Sequence, residues 1–175
     1  MLAAMMTPIT TQQIVRGHGK IWPPQRVPDV ALIRYDSVPA TLKALTTGYV
    51  TAVQLMFTSC TTTCPMGAAT FQQVQKMIPD MRGRRIQLLS LSIDPENDTP
   101  KAMAGWRRRF RAGANWVVAT PRLTDSKTLQ DFFQKGGDSS DHSTQVQIVN
   151  RDGYLVWRTY ELPTAEEVAA ILGRF

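Results

Sequence analysis

The chain has 175 residues, 43% of them hydrophobic and 19% charged, with a formal net charge of +6 and an isoelectric point near 9.7. That composition excludes a disordered chain and is that of one domain able to bury a substantial core. No run of about 18 apolar residues occurs, so these residues encode no membrane-spanning helix. The basic charge points to acidic partners or an anionic surface, while no helix-turn-helix, zinc-finger or RNP-type signature marks a nucleic-acid binder.

Residues 1–24 show no clear periodicity and contain Gly17, Gly19, Pro23 and Pro24. They are expected to form a flexible tail or linker, with His18 solvated between its glycines, ahead of a domain over 25–175. Residues 1–6 are too short and lack the basic leader of a signal peptide; an anchor upstream of them is compatible with the sequence. Residues 30–35 read as a strand ended by Asp36 and Ser37, and Leu42 and Leu45 suggest a short helical turn stopped by Gly48. Residues 49–57 form a β-branched and aromatic run of strand length. Pro65, favoured in a helix's first turn, then precedes Ala68, Phe71, Val74, Met77 and Ile78 at roughly helical spacing.

Residues 84–93 are a largely apolar run of the kind found in buried parallel strands, closed by the polar turn Asp94-Pro95-Glu96-Asn97-Asp98. Thr99 and Pro100 predict a helix to about Arg111. Its arginines, Arg107, Arg108, Arg109 and Arg111, read as a solvated face or, more sharply, as a docking patch. Residues 116–119 form a short strand, and Thr124 is expected to cap a helix holding Leu129, Phe132 and Phe133. Residues 136–141, rich in glycine and serine, predict a flexible loop leading to His142. Residues 144–149 alternate as a strand, and Asp152-Gly153 carries a type I′ hairpin signature into residues 154–157. Thr164 and Glu167 form a capping box for the last helix. No internal repeat is visible.

Both cysteines of the chain, Cys60 and Cys64, fall between the strand at 49–57 and the helix that follows. Cys60 is expected in the turn and Cys64 at the helix mouth, where free N–H groups and the positive end of the helix dipole lower thiol pKa values. Residues four apart share one helix face, with Cβ atoms about 5–6 Å apart. Two sulfurs so placed close a disulfide after a small adjustment or pinch one soft metal ion, and the spacing does not choose between the two. Inert core thiols and a purely structural bridge are the blander readings; a bridge closing so short a loop constrains the unfolded chain little.

Alternating strands and helices, ending in a hairpin and a helix, predict an α/β chain with a thioredoxin-like fold, a central mixed sheet flanked by helices. Chemistry in open α/β sheets collects at the carboxyl ends of strands. The cysteine turn and the Asp94 turn should both open there, and the loop holding His142 must lie near them for one compact site.

Three motifs in order carry a resemblance: Phe57-Thr58-Ser59-Cys60-x-x-x-Cys64-Pro65, Ser92-Ile93-Asp94-Pro95-Glu96-x-Asp98-Thr99-Pro100, and Asp141-His142-Ser143 before a strand. Over roughly residues 27–172 the chain resembles the SCO/SenC family of thioredoxin-fold copper proteins. The resemblance implies copper, as Cu(I) or Cu(II), on Cys60, Cys64 and His142. It also implies copper delivery to the binuclear copper site of cytochrome c oxidase subunit II, or reduction of that site's cysteines. A periplasmic or membrane-anchored location is implied in the same way, and a monomer is expected. Two thiolates and one imidazole independently suit copper, with zinc as the rival. Asp94 is open to two kinds of role, tuning the site's charge or orienting a ligand on the one hand, and capping its own turn on the other. The competing reading is a thiol-disulfide oxidoreductase working through Cys60 and Cys64 without copper, although the usual C-x-x-C spacing is absent.

Overall fold

Strand and helix runs alternate along the chain, and the computed structural model, which describes residues 18–134 and 144–175, folds them into one mixed sheet with helices on both faces. The strands are β1 (Gly19–Arg26), β2 (Ala31–Arg34), β3 (Pro39–Thr41), β4 (Val50–Met56), β5 (Ile86–Ser92), β6 (Trp116–Pro121), β7 (Gln147–Val149) and β8 (Tyr154–Arg158). Their order is β1-β8-β7-β4-β5-β6-β2-β3. Helix α1 (Leu42–Thr46) precedes β4, α2 (Thr63–Met77) joins β4 to β5, and α3 (Pro100–Arg109) joins β5 to β6. Helix α4 (Leu123–Gln134) follows β6, and α5 (Ala165–Leu172) closes the chain.

The parallel trio β4, β5 and β6 forms the centre, with Met56 opposite Ser92 and Leu91 opposite Ala119. All seven residues of β5 are buried, as a strand covered on both faces requires. Alternation divides the apolar residues between two cores. Val50, Ala52, Ile86 and Leu88 pack with Phe71 and Val74 of α2, Met103 and Trp106 of α3, and Ile171 of α5. Val53, Leu89 and Leu91 pack on the other face with Leu42 of α1 and with Leu129 and Phe133 of α4. Polar residues inside this sandwich pair with one another: Gln54 Nε2 and Trp116 Nε1 donate to Ser90 Oγ at 2.8 and 2.9 Å, and Gln87 Nε2 donates to Thr51 Oγ1 at 2.9 Å.

Three local expectations are corrected. Residues 19–24, expected in a tail, belong to β1, which pairs antiparallel with β8 (Gly19 with Arg158, Arg26 with Tyr154). Pairing to a preformed edge overrides the local prolines, because Pro23 and Pro24 stand on an outer strand where a missing N–H costs nothing. Thr124 lies inside α4, which begins at Leu123, and so does not cap it. The hairpin at Asp152-Gly153 is not type I′: only Gly153 has positive φ (81°), and the Asn150 N–H donates to the Tyr154 carbonyl across three residues. That is the three-residue loop with a glycine in the left-handed position, steadied by the Asn150 side chain, which accepts the N–H groups of Asp152 and Tyr154. The predicted caps at Thr99 and Thr164 are present, their hydroxyls accepting the N–H of Ala102 at 3.2 Å and of Glu167 at 3.1 Å.

The caps give a simple test. Thr99→Ala and Thr164→Ala should each cost about 1 kcal/mol in urea denaturation and add in the double variant, whereas Thr124→Ala should stay within about 0.5 kcal/mol of the parent.

Candidate dithiol and metal site

Strand direction decides what meets at one edge. β4 and β5 both end there; β7, antiparallel to β4, begins there with Gln147 opposite Val53, and β8 ends there with Arg158 opposite Gln147. The cysteine turn, the Asp94 turn, the chain entering β7 and the chain leaving β8 therefore share this edge. Thr144, the first described residue after His142, is tied down at it: its N–H donates to Glu161 Oε2 at 2.7 Å, its hydroxyl bonds the same oxygen, and it accepts the Leu162 N–H at 2.8 Å. His142 and the loop 136–141 lie outside the described residues.

Cys60 and Cys64 are brought together as the spacing predicts, both as buried free thiols. Helix α2 begins at Thr63, and Thr62, its N-cap residue, makes no side-chain cap bond. The acceptor comes from Cys60 instead: the Cys64 N–H donates to Cys60 Sγ at 3.4 Å, and Thr62 Oγ1 lies 3.9 Å from the same sulfur. A sulfur thus occupies the place an N-cap oxygen normally takes, at the positive end of the helix dipole. Burial pushes the Cys60 thiol up, but the hydrogen bonds of the Cys64 side chain, of the Thr62 and Cys64 backbone and of the Thr62 hydroxyl together outweigh it. Its pKa falls from 9.0 to about 7. Burial pushes Cys64 the other way, and its hydrogen bond to Cys60 holds the proton further, so its pKa rises from 9.0 to about 12. The pair is asymmetric: one sulfur is ionised near neutrality and its neighbour keeps a proton to give.

The position of the cysteine turn is fixed by Asp98, a residue the sequence reading passed over in favour of Asp94. Asp98 is 1% exposed. Its carboxylate accepts the Thr58 N–H at 3.0 and 3.2 Å, the Thr58 hydroxyl at 2.5 Å and the Ser92 hydroxyl at 2.6 Å. It thereby clamps the ends of β4 and β5 together directly before Cys60. Of Asp94's two roles, turn capping is the one observed: its carboxylate accepts from Asn97 Nδ2 at 3.0 Å, and its carbonyl accepts the N–H of Asp98 at 2.9 Å. The signal available in the sequence was the crowding of Asp94, Glu96 and Asp98 into five residues; which carboxylate turns inward depends on the folded loop.

His18 is not a loose imidazole. Its ring stacks on Tyr160, with centroids 3.4 Å apart, beside β1 at the outer edge of the sheet. β8 and β7 stand between that strand and β4. Among the described residues no group of three or more histidines, cysteines or acids is placed to hold a metal ion, so the two sulfurs are the donors this part of the chain supplies.

Fold and paired thiols together define a thioredoxin-like dithiol protein. The SCO1/SenC family model matches residues 31–175, and the chain belongs to that family. The SCO1 protein homolog of Bacillus subtilis (strain 168) is 27% identical over 115 residues, a match spanning 61% of this chain and 59% of that protein's length. Among solved structures, Bradyrhizobium japonicum ScoI with copper bound superposes with a TM-score of 0.70 at 21% identity, covering 86% of this chain and 99% of that one. BsSco, a member of the Sco family of cytochrome c oxidase assembly proteins in which a disulfide switch was identified, does so with a TM-score of 0.69 at 22% identity, covering 87% and 94%. These structural likenesses show the fold.

Two measurements check the site. Following the ultraviolet thiolate absorbance of the reduced protein with pH should show one thiol ionising near pH 7 and the other silent until strongly alkaline pH; two thiols titrating together near pH 9 would contradict the asymmetry. Asp98→Ala, which strips an acceptor from three buried or half-buried donors, should lower stability by about 2–4 kcal/mol in denaturant unfolding, against less than about 1 kcal/mol for Asp94→Ala.

Proposed function

We propose that this protein binds copper through Cys60, Cys64 and His142 and serves in the assembly of cytochrome c oxidase. Its finer task is to deliver copper to, or keep reduced the cysteines of, the binuclear copper site of subunit II. The observation that carries the reading is the pair of sulfurs on one side of the α2 mouth, one of them accepting the Cys64 N–H at 3.4 Å. Two thiolates are soft donors that suit copper in its reduced state, and an imidazole extends the set toward Cu(II). Two features support the rest: family membership over residues 31–175, and relatives seen with copper bound or working in oxidase assembly. Thr144, two residues beyond His142 in the sequence, is held at the thiol edge, which supports a ligand role for that histidine. Zinc would need a further ligand, and the remaining imidazole, His18, is stacked on Tyr160 beside the outer strand β1, with β8 and β7 between it and the strand leading to the cysteines. A periplasmic or membrane-anchored location is part of the same proposal and rests on the family.

Bound copper supplies an exchangeable soft cation that a partner's thiols can take over. The chain's own residues do the rest. Asp98 fixes through Thr58 the turn that carries Cys60, the first turn of α2 carries Cys64, and Cys60, with a pKa of about 7, is partly ionised in neutral solution. The same asymmetry favours the second reading, a thiol-disulfide oxidoreductase acting without copper. There the Cys60 thiolate attacks a partner disulfide, one partner sulfur leaves as thiolate, and a mixed disulfide remains. Cys64 then loses its proton and attacks the Cys60 sulfur, closing the intramolecular bond and releasing the second partner sulfur.

Anaerobic metal titration of the reduced protein, with metal content measured after dialysis, separates the two readings. One retained copper per chain is expected in the reduced form and none in the Cys60–Cys64 disulfide form, because the same sulfurs serve both states. His142→Ala should keep measurable Cu(I) binding and dithiol redox activity while losing the thiolate-to-Cu(II) absorption of the parent. If that variant binds Cu(II) with unchanged spectrum and affinity, His142 is not a ligand and the oxidoreductase reading takes first place.

A further inference from the structure

Arginines gather at the edge of the sheet opposite the thiols, about 20 Å away across the seven residues of β4. Helices α2 and α3 start near the thiols and end there, where the α2–β5 loop, the α3–β6 loop and the β7–β8 hairpin meet. Their contact is direct: Gln75 Nε2 donates to the Arg111 carbonyl at 2.9 Å, Gln75 Oε1 accepts the Gly113 N–H at 3.0 Å, and Arg151 Nη2 donates to the Arg84 carbonyl at 3.3 Å. Arg82, Arg84, Arg85, Arg109, Arg111 and Arg151 are all exposed on this edge. The two ion pairs between described residues, Arg34–Asp36 and Lys127–Asp131, use none of them. Of the two carboxylates in their midst, Asp80 is spent on the Gly83 N–H at 3.0 Å, and Asp152 stands exposed beside Arg151 in the hairpin. Apolar tips stand among the guanidiniums: Met77 is 44% exposed, and Pro79 and Ala114 border a depression of about 360 Å³ between the two loops.

The arginine run of α3, read from the sequence as one face, is in fact divided. Arg107 turns inward, its guanidinium 3.8 Å from the Tyr35 ring centroid and bonded to the carbonyls of Ala112 and Gly113 at 3.3 and 3.1 Å. Arg109 and Arg111 instead join the arginines of the neighbouring loop. The thiol edge is mixed in charge, with Asp94, Glu96, Glu161 and Glu166 standing there beside Lys20, Lys101 and Arg122.

We propose that this basic edge docks on the anionic headgroups of a phospholipid bilayer and holds the thiol edge turned away from the surface. The charge is spread over two loops, a hairpin and two helix ends on long side chains. Such an array needs smeared negative charge rather than individually placed carboxylates. Arginines interleaved with apolar tips match an interface where guanidiniums sit at headgroup level and apolar groups enter below. The concentration of cations on one edge, against mixed charge on the other, orients the approach.

Co-sedimentation of the full chain with vesicles tests this, comparing phosphatidylcholine alone with a mixture containing phosphatidylglycerol at low and high salt. Binding to the anionic vesicles alone, weakened by salt, is expected. Arg82→Glu/Arg84→Glu/Arg85→Glu should lower the vesicle partition coefficient on the order of 100-fold, at about a fivefold factor per residue, with unchanged circular dichroism and melting. Lys20→Glu/Lys101→Glu/Arg122→Glu carries the same charge change at the thiol edge and should bind nearly as the parent. No binding to anionic vesicles, or equal loss in both variants, overturns the proposal. Tighter capture by soluble poly-glutamate than by the vesicles overturns it in favour of an acidic protein partner.

Discussion

A single buried carboxylate holds the working edge of this protein together. Parallel strands end with their carbonyls and outgoing turns exposed, and nothing in the β4–β5 ladder itself dictates where the residues after Met56 go. Asp98 supplies that instruction by accepting from the Thr58 backbone, the Thr58 hydroxyl and the Ser92 hydroxyl at once. A carboxylate at 1% exposure is tolerable only with its lone pairs occupied. The same bonds that make its burial affordable fix the turn that carries Cys60.

Downstream of that clamp, the cysteines divide their labour through helix geometry. Thr62 does not cap α2, and the Cys64 N–H finds its acceptor in the sulfur of Cys60. Because the acceptor is a sulfur that ionises, the cap and the thiolate stabilise one another, and the cost of burying charge is met by donors already present at the helix start. Cys64, buried and itself a donor to that sulfur, keeps its proton. Both functional readings draw on this pair of sulfurs, and they part only at the imidazole.

The two ends of the sheet differ in charge as well as in chemistry. Helices that begin at the thiol edge bring their last turns and following loops to the opposite edge, and arginine is concentrated in those last turns and loops. Cations near helix C-termini complement the dipole, so Arg109 suits α3 as well as the surface it lines. The excess of positive charge in the composition is therefore a local property of one edge rather than a uniform coat.

Much of this was legible in the sequence because it depends on local rules. Strand and helix periods, the caps at Thr99 and Thr164, and the four-residue separation of Cys60 and Cys64 each follow from backbone geometry within a few residues, and three ordered motifs carried the family. What escaped was set by contacts between distant segments. β1 forms because β8 offers an edge to pair with, although its own residues read as a tail. Arg107 leaves its neighbours because Tyr35, far away in the chain, provides a ring to cover. Asp98 rather than Asp94 turns inward because Thr58, forty residues earlier, presents donors to it. Only the folded chain could place these residues, since each depends on a partner whose approach is fixed by the sheet order and not by anything written beside it.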